Sequence, residues 1–201
     1  MSVITTFVFY FLAFAFIHSL LATDFIKKKV EREVKDKIRF YRIIYNILSF
    51  FTAAPAFSIW ITSSSSTPQL YSVPGWLLPF FILLRLLAIG LVVYVAFKTD
   101  LLEFAGLKTC RTEGKLMTDN AYGIVRHPFY TAGIVLMFTK SQMTLLDFTA
   151  ATLVSIYFII GAYTEEKRLA AFGDEYSKYK QRVSMFVPVK WFINRIKGAI
   201  R

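Results

Sequence analysis

The side chains in this sequence best suited to chemistry fall in two short stretches. One is Tyr122-Gly123-Ile124-Val125-Arg126-His127-Pro128-Phe129-Tyr130; the other is the adjacent carboxylate pair Glu165-Glu166. Pro128 is followed by a charge-free run from Phe129 to Thr139, and proline favours the first helical turn, so the spacing predicts a helix that starts at the His-Pro step. The positive end of that helix and its free backbone N–H groups would hold an anion, with Arg126 as a second donor. Tyr122, Phe129 and Tyr130 add ring faces that suit a flat base or a sulfonium cation. A second apolar run ends at Tyr163 and delivers Glu165 and Glu166 to the same edge of the membrane.

The elements that position these groups must be membrane helices. With 56% hydrophobic residues, 17% aromatic residues and a mean hydropathy of +0.50, the 201-residue chain is too apolar for an ordinary soluble domain. The sequence reads as an all-α polytopic membrane protein of about five transmembrane helices. A C-terminal helical hairpin and cytoplasmic amphipathic helices complete it, all within one membrane domain (1–201). Its net charge of +11 comes in three basic blocks, 27–42, 98–126 and 167–201, which leave out only Arg85 and Lys140. That pattern marks loops on one side of a bilayer and argues against a nucleic-acid partner. It predicts an N-terminus outside and a C-terminus in the cytoplasm.

In order, the expected spans are Ser2–Thr23, Ile43–Ile61 and Trp76–Phe97, which make up the first part (1–97), then Phe129 towards Leu146, and Phe148–Thr164. The fourth reaches adequate length only if Lys140 snorkels and the helix runs on, with Asp147 at the turn. His18 near the inner end of the first span is read as bonded to a neighbouring helix or to headgroups. Arg85, inside the third span, should face the bundle interior, either for a structural partner or for substrate. The charged segment from Phe25 to Arg42 is a cytoplasmic connector, and Thr62–Gly75 is an outer loop. Cys110 is the only cysteine; with two distant histidines it makes no zinc pattern, and no metal is expected. Leu169, Phe172, Tyr176, Tyr179 and Val183 recur at helical steps and form a stripe expected on the membrane surface, interrupted at Gly173. The tail from Val189 reads as interfacial.

Arg126-His127-Pro128-Phe129-Tyr130, the Tyr122 before it, and Glu165-Glu166-Lys167-Arg168-Leu169-Ala170-Ala171-Phe172-Gly173-Asp174-Glu175-Tyr176-Ser177-Lys178-Tyr179 with Val183 and Pro188 resemble the isoprenylcysteine carboxyl methyltransferase family of integral membrane enzymes. The resemblance covers about the last 90 residues. Arg182–Pro188, Met143-Thr144 and His18-Ser19-Leu20-Leu21-Ala22 look most like its methanethiol S-methyltransferase branch. The resemblance implies S-adenosylmethionine as cofactor, held by Gly114, Lys115, Leu116 and Met117 and by Tyr122, His127, Pro128, Phe129 and Tyr130, within the part 98–201. It implies a carboxylate, Glu165 or Glu166, at cofactor or substrate, and a small or lipid-like acceptor met in the bilayer that takes the methyl group on a thiol or a carboxylate.

Two departures bear on the acceptor and the turn. Asn120 stands where the family usually has Gly, a residue that still tolerates a left-handed turn. Ile160-Gly161-Ala162-Tyr163 stand where isoprenylcysteine enzymes carry an Arg, which favours a neutral or thiol acceptor. In-line methyl transfer needs alignment and desolvation, and a thiol must also lose its proton. Glu165 is assigned to take it, with Arg126 beside the reaction. Adjacent helical residues point about 100° apart, and Glu165, first to emerge from the fifth span, is expected to be the more desolvated, with Glu166 on the cofactor. Membrane sterol and steroid reductases, which use NADPH, share an Arg-His-Pro-x-Tyr-like motif and remain an alternative, as does a non-catalytic relative; Thr131-Ala132-Gly133 lacks the reductases' Gly-Glu.

Overall fold

The structure, a computed structural model, describes residues 1–34, 40–98 and 116–199. The helices are α1 (Val3–Leu21), α2 (Asp24–Val34), α3 (Tyr41–Ser63), α4 (Leu78–Lys98), α5 (Pro128–Phe138), α6 (Leu145–Leu169), α7 (Asp174–Arg182) and α8 (Val189–Ala199). The strands are β1 (Gln69–Ser72) and β2 (Gln142–Thr144). The fold is therefore all-α apart from one small strand pair. Among the described residues, four stretches are long and apolar enough to cross a membrane: Val3–Leu21, Tyr41–Ser66, Leu78–Lys98 and Leu145–Phe172. Their large apolar side chains point outward, Phe50 at 70% and Phe97 at 84% exposure, as expected where lipid rather than water is the solvent.

The chain divides into two compact units. The first comprises, among described residues, 1–34, 40–72 and 142–150, with α1 packed on α3. His18 joins the two helices as expected: Nδ1 lies 2.8 Å from Ser49 Oγ and Nε2 lies 2.5 Å from Tyr45 Oη. Ser49 gives its own hydrogen to the Tyr45 carbonyl at 2.7 Å, so Ser49 accepts from Nδ1–H and Nε2 accepts from Tyr45. β1 and β2 pair antiparallel, with an irregularity between Gln69 and Tyr71. Thr144 and Asp147 then make a reciprocal cap for α6: Asp147 N–H donates to Thr144 Oγ1 at 3.2 Å, and Asp147 Oδ2 accepts from Thr144 N–H at 3.1 Å. Trp60 Nε1 donates to the other Asp147 oxygen at 2.8 Å.

The second unit holds 73–98, 116–141 and 151–199, with α4 packed on α5. Here two expectations are corrected. The helix from Pro128 does not run on to Leu146; it stops at Phe138. Thr139 ends it, its Oγ1 and its N–H both donating to the Val135 carbonyl at 2.7 and 3.0 Å, and the chain is already extended at Gln142. Asp147 therefore sits in the first turn of α6, not at a turn between spans. The stripe of Leu169, Phe172, Tyr176, Tyr179 and Val183 does not lie on a membrane surface; it closes with Leu116 into a buried core cluster. Gly173 interrupts it at φ +60°, a left-handed conformation that glycine adopts without strain.

Candidate active site

The Arg-His arm is shaped by its neighbours in sequence and by a distant segment. Asn120 takes φ +56°, the left-handed turn its type tolerates, and Asn120–Gly123 form a short 3₁₀ turn. Val125 then bridges Ser184 in parallel. Arg126 N–H donates to the Ser184 carbonyl at 2.8 Å and His127 N–H to that of Met185 at 3.1 Å. Pro128 opens α5, and Thr131 Oγ1 donates to the Phe186 carbonyl at 3.2 Å. The Ser184–Phe186 segment thus holds the arm as a strand holds its neighbour.

α6 brings the carboxylates to this arm. Glu166 is buried, and its Oε1 accepts from Arg126 Nε at 2.8 Å and Nη2 at 2.6 Å. Its Oε2 lies 3.2 Å from Lys180 Nζ on α7. Arg126 Nη1 donates onward to the Val183 carbonyl at 2.5 Å. His127 is buried with a carboxylate facing each ring nitrogen: Glu166 Oε1 at 3.4 Å from Nε2 and Glu165 Oε2 at 3.6 Å from Nδ1. The order of desolvation is opposite to expectation, with Glu165 at 50% and Glu166 at 7% side-chain exposure. The reason is the buried Arg126 and His127, which meet Oε1 of the second carboxylate, while Lys180 of α7 covers Oε2 from the solvent side.

An aromatic column continues from the imidazole. His127 stacks on Tyr130 at 5.6 Å between centroids, and Tyr130 stacks on Phe158 of α6 at 5.1 Å. Phe186 tilts against His127 at 5.7 Å. Gly133 makes room for Phe158: a Cβ at this position would stand 2.6 Å from Phe158 Cε2.

Tyrosines surround the ionic cluster. Tyr179 Oη donates to the Tyr122 carbonyl at 2.7 Å, and burial raises its hydroxyl above the usual range. Burial first, and the charge of Glu165 second, also raise the Tyr122 hydroxyl. The Tyr176 hydroxyl is buried beside Glu166 and Arg126 without meeting hydrogen-bond geometry to any group, and it is pushed up to about 12, mainly by burial.

The structure thus brings together Arg126, His127, Tyr130, Glu165 and Glu166, with Tyr122 close enough to feel Glu165. Pro128 is buried at the head of α5, whereas Phe129 and Met117 are exposed. Leu116 packs into the Tyr176–Tyr179 core. Gly114, Lys115 and Cys110 lie outside the described residues. Lys180, Tyr176 and the Ser184–Phe186 carbonyls were missed by the sequence reading. The i,i+4 pair Tyr176 and Lys180, one turn apart on a short helix, was the available signal for the first two. A cavity of about 390 Å³ is lined by Thr118, Asp119, Gly123, Tyr179, Arg182, Val183, Trp191, Asn194 and Arg195; none of the charged groups around His127 lines it.

Helices of membrane-crossing length and a buried ionic and aromatic cluster at the end of the last of them define a multi-pass integral membrane protein with a polar site built on helix ends. The chain belongs to the NnrU protein family, whose match covers residues 6–137. That match includes the His127-Pro128 arm and stops before the carboxylates. The chain is also 41% identical over 78 residues to methanethiol S-methyltransferase 1 of Bradyrhizobium diazoefficiens, covering 38% of this chain and 27% of the relative. It is 30% identical over 166 residues to a methanethiol S-methyltransferase of a Pseudomonas species, covering 78% and 62%. Protein-S-isoprenylcysteine O-methyltransferase of Schizosaccharomyces pombe is 35% identical over 79 residues, covering 37% and 33%. Both branches of the resemblance are therefore represented, and the chain spans from about a quarter to about three fifths of the length of these relatives. No solved structure matches the chain.

Proposed function

We propose that this protein is a membrane methyltransferase that moves a methyl group from S-adenosylmethionine to the thiol of a small or lipid-like acceptor. The observation that carries the reading is the unequal carboxylate pair around His127. Glu166 is neutralised by Arg126 and Lys180, while Glu165 stays half-exposed beside His127 and within the electrostatic reach of Tyr122. The names of the relatives supply the reaction class.

The residues fit the cofactor's chemistry. Glu165 suits its ammonium or ribose hydroxyls, and the half-buried ring of Tyr122, within reach of the Glu165 charge, suits its sulfonium or base. The first-turn N–H groups of α5 suit its carboxylate. When bound, S-adenosylmethionine supplies an electrophilic methyl group on a positively charged sulfur. Glu165 would take the thiol proton on a carboxylate oxygen and leave a thiolate as nucleophile; the methyl would come from the cofactor's sulfonium, whose carbon–sulfur bond would break to release a neutral thioether. Glu166, locked by two cations, holds Arg126 and His127 in place and takes no proton. The aromatic column keeps water from the sulfur.

α5 rises about 16 Å, about half of a hydrocarbon core of about 30 Å, and the turn at 139–141 and β2 carry the chain on from its end. Read as the fourth crossing, this segment returns β2 to the side of β1, in keeping with their pairing. The distribution of the basic blocks supports reading the N-terminus as outside and the C-terminus as cytoplasmic. The protein reconstituted in nanodiscs should bind S-adenosylhomocysteine and methylate small thiols from labelled cofactor. Binding of NADPH instead, with no S-adenosylhomocysteine bound, would replace this reading with a reductase.

A further inference from the structure

Arg85 lies seven residues inside α4, about 10 Å from its start. α4 contains no acid and α5 contains no charge at all, so neither helix offers Arg85 a side-chain counter-ion. What it meets is backbone: Arg85 Nη1 donates to the Leu136 carbonyl at 3.3 Å. Leu136 belongs to the last turn of α5, where carbonyls have no partner within the helix. The neighbouring Val135 carbonyl is already taken by Thr139. Because α5 is only about 16 Å long, its C-terminal end stops inside the apolar layer, where an unmet carbonyl is costly and water cannot substitute. A guanidinium is suited to both needs. It brings donors, and its positive charge meets the negative end of the helix dipole.

We infer that Arg85 is a positioning residue, a cationic cap that fixes the buried end of α5 and through this rigid helix sets the place of His127 and Tyr130 at its other end. The consequence for activity rests on the methyltransferase reading; the capping itself does not. A helix of three turns packed along α4 transmits an axial shift at one end to the other with little loss. Fraying at Leu136 would let α5 move along α4 and carry His127 away from the two carboxylates that flank it.

Hydrogen–deuterium exchange in nanodiscs tests this without turnover. Arg85→Met should speed exchange of the Leu136–Thr139 amides about tenfold and also loosen the Phe129–Thr131 amides; Arg85→Lys, which keeps the charge, should restore both. Arg85→Gln, which keeps donors without charge, should fall between and serves if the Met variant does not fold. S-adenosylhomocysteine affinity should drop about tenfold in Arg85→Met and recover in Arg85→Lys. Wild-type exchange in Arg85→Met or, in its place, Arg85→Gln would overturn the proposal. So would fast exchange confined to the last turn, or a raised thiol KM with unchanged exchange, which would place Arg85 at the acceptor. If S-adenosylhomocysteine binds no form of the protein, the methyltransferase reading fails while the exchange pattern still decides the role of Arg85.

Discussion

Neutralising Glu166 separates a scaffold carboxylate from a chemical one. In Glu166→Gln, Arg126 keeps only Val183 among its strong acceptors, at 9% side-chain exposure. Removing one partner of a buried pair costs about 3–5 kcal/mol. The Lys180 contact adds at most about 1 kcal/mol, because that lysine is 48% exposed and screened. An amide oxygen still accepts one bond, which puts the expected loss near the lower bound, about 3 kcal/mol. For a chain of this size that lowers Tm by about 6–12 °C. Intrinsic tryptophan fluorescence during heating of detergent-purified protein reads the shift. Glu165→Gln should leave Tm within about 2 °C while lowering thiol methylation at saturating cofactor. An Arg126→Met/Glu166→Met pair should regain part of the loss, since no buried charge is left unmatched. The reasoning fails if Glu166→Gln is silent in Tm, or if Glu165→Gln is the more destabilising of the two.

Three further expectations rest on separate contacts. Gly133→Ala should cost about 1–3 kcal/mol by overpacking against Phe158 and lower turnover through Tyr130, so normal Tm and activity would contradict the packing at α5 and α6. Because the hydroxyls of Tyr122, Tyr176 and Tyr179 are raised, unfolding exposes groups that ionise more readily than in the folded chain. Their stabilisation is complete below about pH 10 and is lost as pH climbs through the raised values, about 12 for Tyr176. Tyr176→Phe, which deletes a buried hydroxyl lacking a geometric partner, should leave Tm at neutral pH equal or higher and flatten its alkaline decline; a lower Tm at neutral pH would refute this. Thr144→Ala removes one arm of the α6 cap and should cost about 1 kcal/mol, read as a Tm decrease that Thr144→Ser largely reverses.

The long elements were readable because their cause is local. Long apolar runs that each meet a basic block at one end mark α1, α3 and α4, Pro128 marks the start of α5, and Asn120 announces its left-handed turn. What escaped depends on partners distant in sequence. Nothing within Gln142-Met143-Thr144 shows that three residues will pair with Gln69–Ser72, and Thr139 looks no different from other threonines that helices tolerate. The Tyr176–Tyr179 stripe showed an apolar face but pointed to the membrane surface, since the Leu116 that covers it lies far upstream. The order of Glu165 and Glu166 turned on Arg126, 40 residues upstream, whose buried guanidinium holds Glu166 and leaves Glu165 to water. Arg85 was readable as inward-facing, but its partner is a carbonyl, a group every residue carries.

The β1–β2 pairing also sets an order of events at the ribosome. Thr144 is synthesised 72 residues after Ser72, so at about 5–20 residues per second the β1 edge waits about 4–14 s for its partner. Throughout that interval the growing chain must rely on α1 against α3, with the His18–Tyr45–Ser49 bonds, to hold its first two spans together. Only when β2 emerges can Trp60 find Asp147 and the first unit close. A nascent chain arrested before Gln142 therefore carries α1, α3, α4 and α5 and an open strand edge, a ready site for a holding chaperone or for pairing with a second nascent copy.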